Sequence, residues 1–175
     1  MKAIIVCASV SHGNTKRIAD VMGQVLSAPV VEPEQVDPAE LSTYDLVGFG
    51  SGIFSGKFHP RLRQFVRSLP QGDELPQGGS LPQGDSLPRG ERRKAFVLAT
   101  SGLPEPRLRP FTRPLVRLLE QKGFEVGDAF SCRGFDTWLP FRLVGGINKA
   151  RPDAGDLATA HAFAEELRAR IGAVS

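Results

Sequence analysis

The stretch SVSHGNT, Ser9–Thr15, separates an apolar run from the first helical pattern of the chain. It gathers the hydroxyls of Ser9, Ser11 and Thr15, the amide of Asn14, and Gly13 at a place where a helix begins. The first N–H groups of a helix have no intrahelical partner and lie at the positive end of its dipole, so they bind an anion without help from lysine or arginine. Phosphate is the anion this donor set suits, with His12 as a further donor from the loop. Gly13 allows the backbone to approach it closely. The same seven residues also suit an ordinary polar loop capped by Asn14 or Thr15.

The elements around the stretch decide between these readings. Lys2–Ala8 is apolar and β-branched, as a buried strand is. Behind Thr15, Ile18, Met22, Val25 and Leu26 recur at helical spacing. Pro29–Glu32 is a short strand candidate, and Tyr44–Ser51 a second buried strand. Pro60 opens a helix through Leu62, Phe65 and Val66. Lys94–Thr100 is the next strand, followed by a helix from Phe111 or Pro114 to Lys122 that stops at Gly123. Phe124–Ser131 reads as the last strand, and a closing helix from about Asp153 keeps Leu157, Ala160, Ala164, Leu167 and Ile171 on one face. Strands alternating with helices specify a doubly wound, five-stranded parallel sheet with helices on both faces. Ligands of such sheets lie beyond the carboxyl ends of the strands, where the strand order reverses. Ser9–Thr15 follows the carboxyl end of the first strand, so its position supports the phosphate reading.

Composition narrows the classes. A chain of 175 residues suits one domain with its own core. No apolar run is long enough to span a membrane. MKAIIVCASV leads into a helix pattern instead of a cleavage site, so a cytoplasmic protein is expected. Cys7 and Cys132 fall near strand ends as small buried hydrophobes, and the scattered His12, His59 and His161 do not make a zinc site. The net charge of +3, with no zinc-finger, homeodomain or aromatic-basic signature, does not point to nucleic acid. Neither GxxxxGK[ST] nor, at this loop, GxGxxG occurs, which argues against nucleoside triphosphatase and dinucleotide folds. Cys7, Ala8 and Ser9 stand where a receiver domain of the same topology needs acidic residues.

Two segments break the alternation. Leu69–Arg92 is a hexapeptide repeat, LPQGDE, LPQGGS, LPQGDS, LPRGER, whose Pro and Gly bar helix and strand; it reads as a flexible surface insertion. Arg133–Pro152 is long for a loop and carries Phe135, Trp138 and Phe141; it suits either a satellite apolar cluster or a functional lid.

With these elements in place the sequence resembles the flavodoxin family over nearly its whole length apart from the repeat. SVSHGNT followed by KRIADVM resembles the flavodoxin FMN-phosphate loop and first helix. GFGSGIFSGKFHPRLRQFV, Gly48–Val66, is similar to the loop that flanks the flavin ring after the third strand. FSCRGFDTWLPFRLVGGINKARPDAGDL resembles a subgroup of small bacterial flavodoxin-like proteins. The resemblance implies a flavodoxin-like fold, FMN as cofactor and electron transfer to a protein redox partner. It implies that the ring lies between Ser51–Phe58 and Ser101–Leu103. Phe54 would then stack on it, Gly52, Ile53 and Gly56 would border its edge, and Ser101 and Gly102 would face it from the other loop. The chain departs from the family in having Val10 and His12 at hydroxyl positions of the loop, and in being basic, with Lys57, His59, Arg61 and Arg63 near the flavin loop. Lys57 at the N1–O2 edge would favour the anionic reduced flavin, and a basic face suits an acidic partner. An FMN-dependent oxidoreductase acting on a quinone or porphyrinogen is the alternative, and a cofactor-free binding module of the same fold is a third. The oligomeric state is not specified by these residues.

Overall fold

The computed structural model describes residues 1–71, 93–106, 108, 110–135 and 147–173. Most of the hexapeptide repeat lies outside the described residues, as do Trp138 and Phe141. Six strands form, β1 (Ala3–Ala8), β2 (Val30–Val31), β3 (Leu46–Phe54), β4 (Lys57–Phe58), β5 (Arg93–Ser101) and β6 (Phe124–Arg133). The helices are α1 (Asn14–Leu26), α2 (Pro60–Ser68), α3 (Arg113–Gln121) and α4 (Ala154–Gly172), with two 3₁₀ turns at Pro33–Gln35 and Pro38–Thr43.

The sheet runs β2-β1-β3-β5-β6, all parallel, and the two-residue β4 turns back antiparallel on β3. The doubly wound five-stranded parallel sheet is therefore observed, with one short extra strand. β4 follows a two-residue turn in which Ser55 and Gly56 both take positive φ, the geometry that a tight hairpin needs. β3 runs to Phe54 and β6 to Arg133, each further than apolar patterning indicates, and these extensions carry both strands to the ligand end of the sheet. A bulge at Gly127 shifts the register of β6 on β5.

Both faces of the sheet are covered. Ile4, Val6, Val47, Phe49, Val97 and Ala99 point to one side, against Leu62, Phe65 and Val66 of α2 and Leu115 and Leu119 of α3. Ile5, Cys7, Phe96 and Leu98 point to the other, against Ile18, Ala19, Met22 and Leu26 of α1 and Ala160, Ala164 and Leu167 of α4. Burial on this scale is the main stabilising term of the fold. The chain leaves and re-enters the described fold at one corner. Leu69 O accepts from Lys122 Nζ at 2.6 Å, while Arg93 pairs with Phe124 and lays its guanidinium 4.4 Å from that ring's centroid. That corner is the amino end of the strands, opposite the carboxyl end.

Gly48 on β3 leaves room for Phe96 on the neighbouring strand: a Cβ there would stand 2.5 Å from Phe96 Cζ and 3.1 Å from Ile5 Cγ1. Gly48→Ala is therefore expected to destabilise the domain by about 1–3 kcal/mol through overpacking, read as a lower urea midpoint. An unchanged midpoint would show that Phe96 has room to move.

Candidate functional site

The strand order reverses between β1 and β3, and α1 starts just beyond the carboxyl end of β1. A cleft of about 450 Å³ opens there, with Ser11, His12, Asn14 and Thr15 at one end. One wall is Gly52, Ile53, Phe54, Ser55 and Gly56; the other is Thr100, Ser101, Gly102 and Leu103. Val10, Phe111, Gly134 and Phe135 complete it.

The start of α1 differs from the expected cap. Its N-cap is Gly13, at φ +68°, preceded by His12 at φ +53°, and neither Asn14 nor Thr15 caps it. A Cβ on Gly13 would touch nothing, so it is the left-handed backbone that calls for glycine. Ser9 Oγ takes the capping role, accepting from the Lys16 N–H at 3.3 Å. Arg17 N–H closes the first helical bond onto Gly13 O. The N–H groups of Asn14 and Thr15 have no helix carbonyl to meet, and these two residues border the cleft.

The side chains of Asn14 and Thr15 are tied to other elements. Asn14 Nδ2 donates to Phe135 O at 2.7 Å, beside Gly134, where a Cβ would come 2.8 Å from that nitrogen. Thr15 Oγ1 and Thr100 Oγ1 are 2.7 Å apart and both are buried. Ser11 and His12 are exposed at the cleft, and the His12 ring packs at 4.4 Å and 47° on that of Phe135. Ser9 and Gly13 stand behind the lining; they shape the loop instead of facing the cleft.

On the first wall, Ser51 Oγ donates to Gly52 O and accepts from the His59 N–H, holding the β3–β4 hairpin against α2. The half-buried Phe54 ring lies over Gly52, where a Cβ would be 3.1 Å from its Cε2, and meets His59 edge-on at 5.3 Å. Lys57, paired with Phe54 across the hairpin, is exposed and outside the cleft lining. On the second wall, Ser101 Oγ accepts from Leu103 N–H, and Asn148 Nδ2 donates to Gly102 O at 2.7 Å. Gly134 N–H donates to Ser101 O. The Glu105 carboxylate accepts from both the N–H and the hydroxyl of Thr112, a closure that brings Phe111 to the cleft. Phe111 thus precedes α3 and does not open it.

Among the described residues no Asp, Glu, Lys or Arg lines the cleft. The nearby basic cluster is partly neutralised. Arg61 is bound by Glu32 and Glu34, and Glu34 in turn is held below the ordinary carboxylate value by its hydrogen bond to Arg61. Burial, and then the Arg61 charge, hold the His59 imidazole below its ordinary 6.5, and its Nδ1 caps α2 by accepting from Arg61 N–H. Burial pushes the Cys7 and Cys132 thiols up to about 12, so both are thiols at neutral pH.

Thr100 and Phe111 were not foreseen as site residues, and Gly134 and Phe135 only within Arg133–Pro152, read as an apolar cluster or a lid. A signal existed for two of them, since Gly134 and Phe135 follow directly on a strand that ends at the same edge of the sheet as Ser101. Nothing local marks Thr100, whose role depends on Thr15 being 85 residues away in sequence.

The lowered His59 value has a defined consequence. The folded state prefers the neutral ring, so the unfolded chain takes up the proton first as pH falls. This contribution to stability is complete above pH 6.5 and is lost as pH falls below it through the folded value. Urea midpoints measured from pH 8 to 5 should decline through this window, with a smaller decline in His59→Asn, which keeps a capping acceptor. An equal decline in both proteins would assign the effect elsewhere.

Known proteins are similar to this chain over most of its length. A family model described as a flavodoxin domain matches residues 4–76. An uncharacterized protein of Methanocaldococcus jannaschii is 33% identical over 167 residues, spanning 95% of this chain and 98% of its own. Among solved structures, a flavodoxin from the domain Archaea superposes with a TM-score of 0.63 at 18% identity, covering 98% of this chain and 99% of its own. Oxidised flavodoxin 2 from Bacillus cereus does so with 0.61 at 20% identity, covering 97% and 99%. At these identities the structures speak for the fold alone. Taken with the family model and the full-length relative, they establish that the chain belongs to the flavodoxin family.

Proposed function

We propose that the cleft binds FMN, with its phosphate at the start of α1 and its ring between Gly52–Gly56 and Ser101–Leu103, and that the protein transfers electrons to a protein partner. The observation that carries this reading is the division of the cleft. One end is a helix start with backbone N–H groups and the hydroxyls of Ser11 and Thr15; the rest is a slot between two glycine-containing loops. Such a site fits a ligand with one anionic tail and one flat, largely apolar body.

FMN supplies the redox chemistry when bound, and the chain's residues bind and orient it. The N–H groups of Asn14 and Thr15 face the anion at the positive end of the helix dipole. Phe54 offers an aromatic face beside Gly52. Leu103, Val10 and Phe111 give the cleft apolar lining, and Val10 and Leu103 are among the exposed large hydrophobics. With no carboxylate among the described lining residues, nothing there opposes negative charge on the reduced ring as an acidic surround would. Lys57, exposed on the adjoining hairpin, adds positive charge near the open side and suits an acidic redox partner.

The second reading, an FMN-dependent oxidoreductase acting on a quinone or porphyrinogen, is favoured by one observation. Phe111 and Phe135 add apolar wall beyond the two ring loops, which a carrier with one exposed edge does not require. Steady turnover with NAD(P)H and a quinone, without added reductase, would support the enzyme; single-turnover exchange with a redox protein alone supports the carrier. We further propose that the repeat is an insertion without a part in the site, since its flanks Leu69 and Arg93 lie at the amino end of the strands.

Titration of the flavin-free protein with FMN, followed by fluorescence quenching, tests the proposal. Saturable one-to-one binding is expected, weakened about three- to tenfold by Phe54→Ala. Failure to bind FMN would overturn both flavin readings. Shortening the four hexapeptides to one should leave this affinity unchanged, and a loss would give the repeat a role in the site.

A further inference from the structure

We propose that Thr100 is a positioning residue for the anion end of the cleft: it donates its hydroxyl proton to Thr15 Oγ1 and thereby turns the Thr15 proton onto the phosphate. This inference rests on the FMN reading given above.

The two hydroxyl oxygens lie 2.7 Å apart, with either able to donate. Thr15 is 2% exposed and Thr100 4%, and both border the cleft. Each hydroxyl has one proton and two lone pairs. The contact between them uses one proton, so the pair retains one more that must find an acceptor in a place largely shut off from bulk water. A threonine within a helix commonly donates to the carbonyl four residues back. For Thr15 that residue is Ser11, which precedes the helix and faces the cleft, so no helical carbonyl competes for the proton.

The chemistry of the ligand then fixes the direction. A phosphomonoester dianion has acceptor oxygens and no proton to give, so the hydroxyl that touches it must donate. Thr15, in the first turn of α1, is that hydroxyl. Its oxygen is left to accept, and Thr100 is the donor within reach. Hydrogen bonds in such a chain polarise one another, which strengthens the terminal one. Thr100 is well suited to hold the chain in place because β5 lies between β3 and β6, paired on both sides at this residue, with Gly52 and Cys132. The anion end is thus indexed to the rigid sheet and not to the loop alone.

The test compares FMN with riboflavin, which has the same ring and no phosphate. Thr100→Val keeps the shape and removes the hydroxyl. FMN affinity is expected to fall about two- to tenfold while riboflavin affinity stays constant, the scale of one net hydrogen bond. Thr100→Ser should restore FMN affinity. In a Thr15→Val background Thr100→Val should have no further effect on FMN, because the chain has already lost its end. Equal weakening of FMN and riboflavin by Thr100→Val would mark a packing role and overturn the inference, as would unchanged FMN affinity or full additivity of the two substitutions. Wild-type protein that binds riboflavin and FMN equally would overturn the phosphate assignment and this inference with it. Wild-type protein that binds neither would overturn the flavin reading itself.

Discussion

The site depends on how the first turn of α1 is fixed to the sheet. Two buried polar side chains do this: Thr15 reaches Thr100 at the end of β5, and Asn14 reaches Phe135 O beyond the end of β6. A buried polar group without a partner costs about 1–3 kcal/mol, so each contact fixes the geometry as well as joining the elements. The apolar face of α1, Ile18, Ala19, Met22 and Leu26, holds the helix on the sheet from behind. The first-turn N–H groups of Asn14 and Thr15 meet no helix carbonyl, and both residues border the cleft at the position where the fold leaves its crevice.

From that fixed point the rest of the cleft follows. Gly134 presses against Asn14, its N–H holds Ser101 O, and Asn148 bridges Gly102 O and Gly134 O. The second wall is therefore connected by hydrogen bonds to the helix start. The first wall is held separately, by Ser51 and by the packing of Phe54 on His59. A ligand joining the helix start to the slot would touch both assemblies at once. Charge is nearly absent from the described lining, and Arg61, in the first turn of α2, is already engaged by Glu32 and Glu34. Recognition of the proposed anion in this cleft would rest on oriented dipoles and hydroxyls more than on cations.

Much of this was legible in the sequence, because parallel strands buried on both faces read as apolar runs and amphipathic helices read by spacing. β1, β5 and the apolar face of α4 lie where those patterns put them. Ser9–Thr15 was singled out by position as much as by composition, and Ser11, His12, Asn14 and Thr15 do border the cleft. What was missed has physical causes. Asn14 and Thr15 are common caps, yet tertiary partners claim their side chains, and the cap passes to Gly13 in a left-handed conformation. β4 has only two residues, too few for a period to register. Lys57 follows the tight turn at Ser55 and Gly56 and is exposed outside the cleft lining. Thr100 enters the site through a contact 85 residues away in sequence, which no local pattern records.

We propose above that the start of α1 holds the phosphate of a flavin. Amide chemical shifts of the ¹⁵N-labelled protein, followed through titration with FMN and separately with riboflavin, test it most directly. Large shifts are expected at Asn14, Thr15 and Lys16 with FMN and little change there with riboflavin, while Gly52–Gly56 and Ser101–Leu103 respond to both. Unmoved first-turn amides in the FMN-bound protein would contradict it.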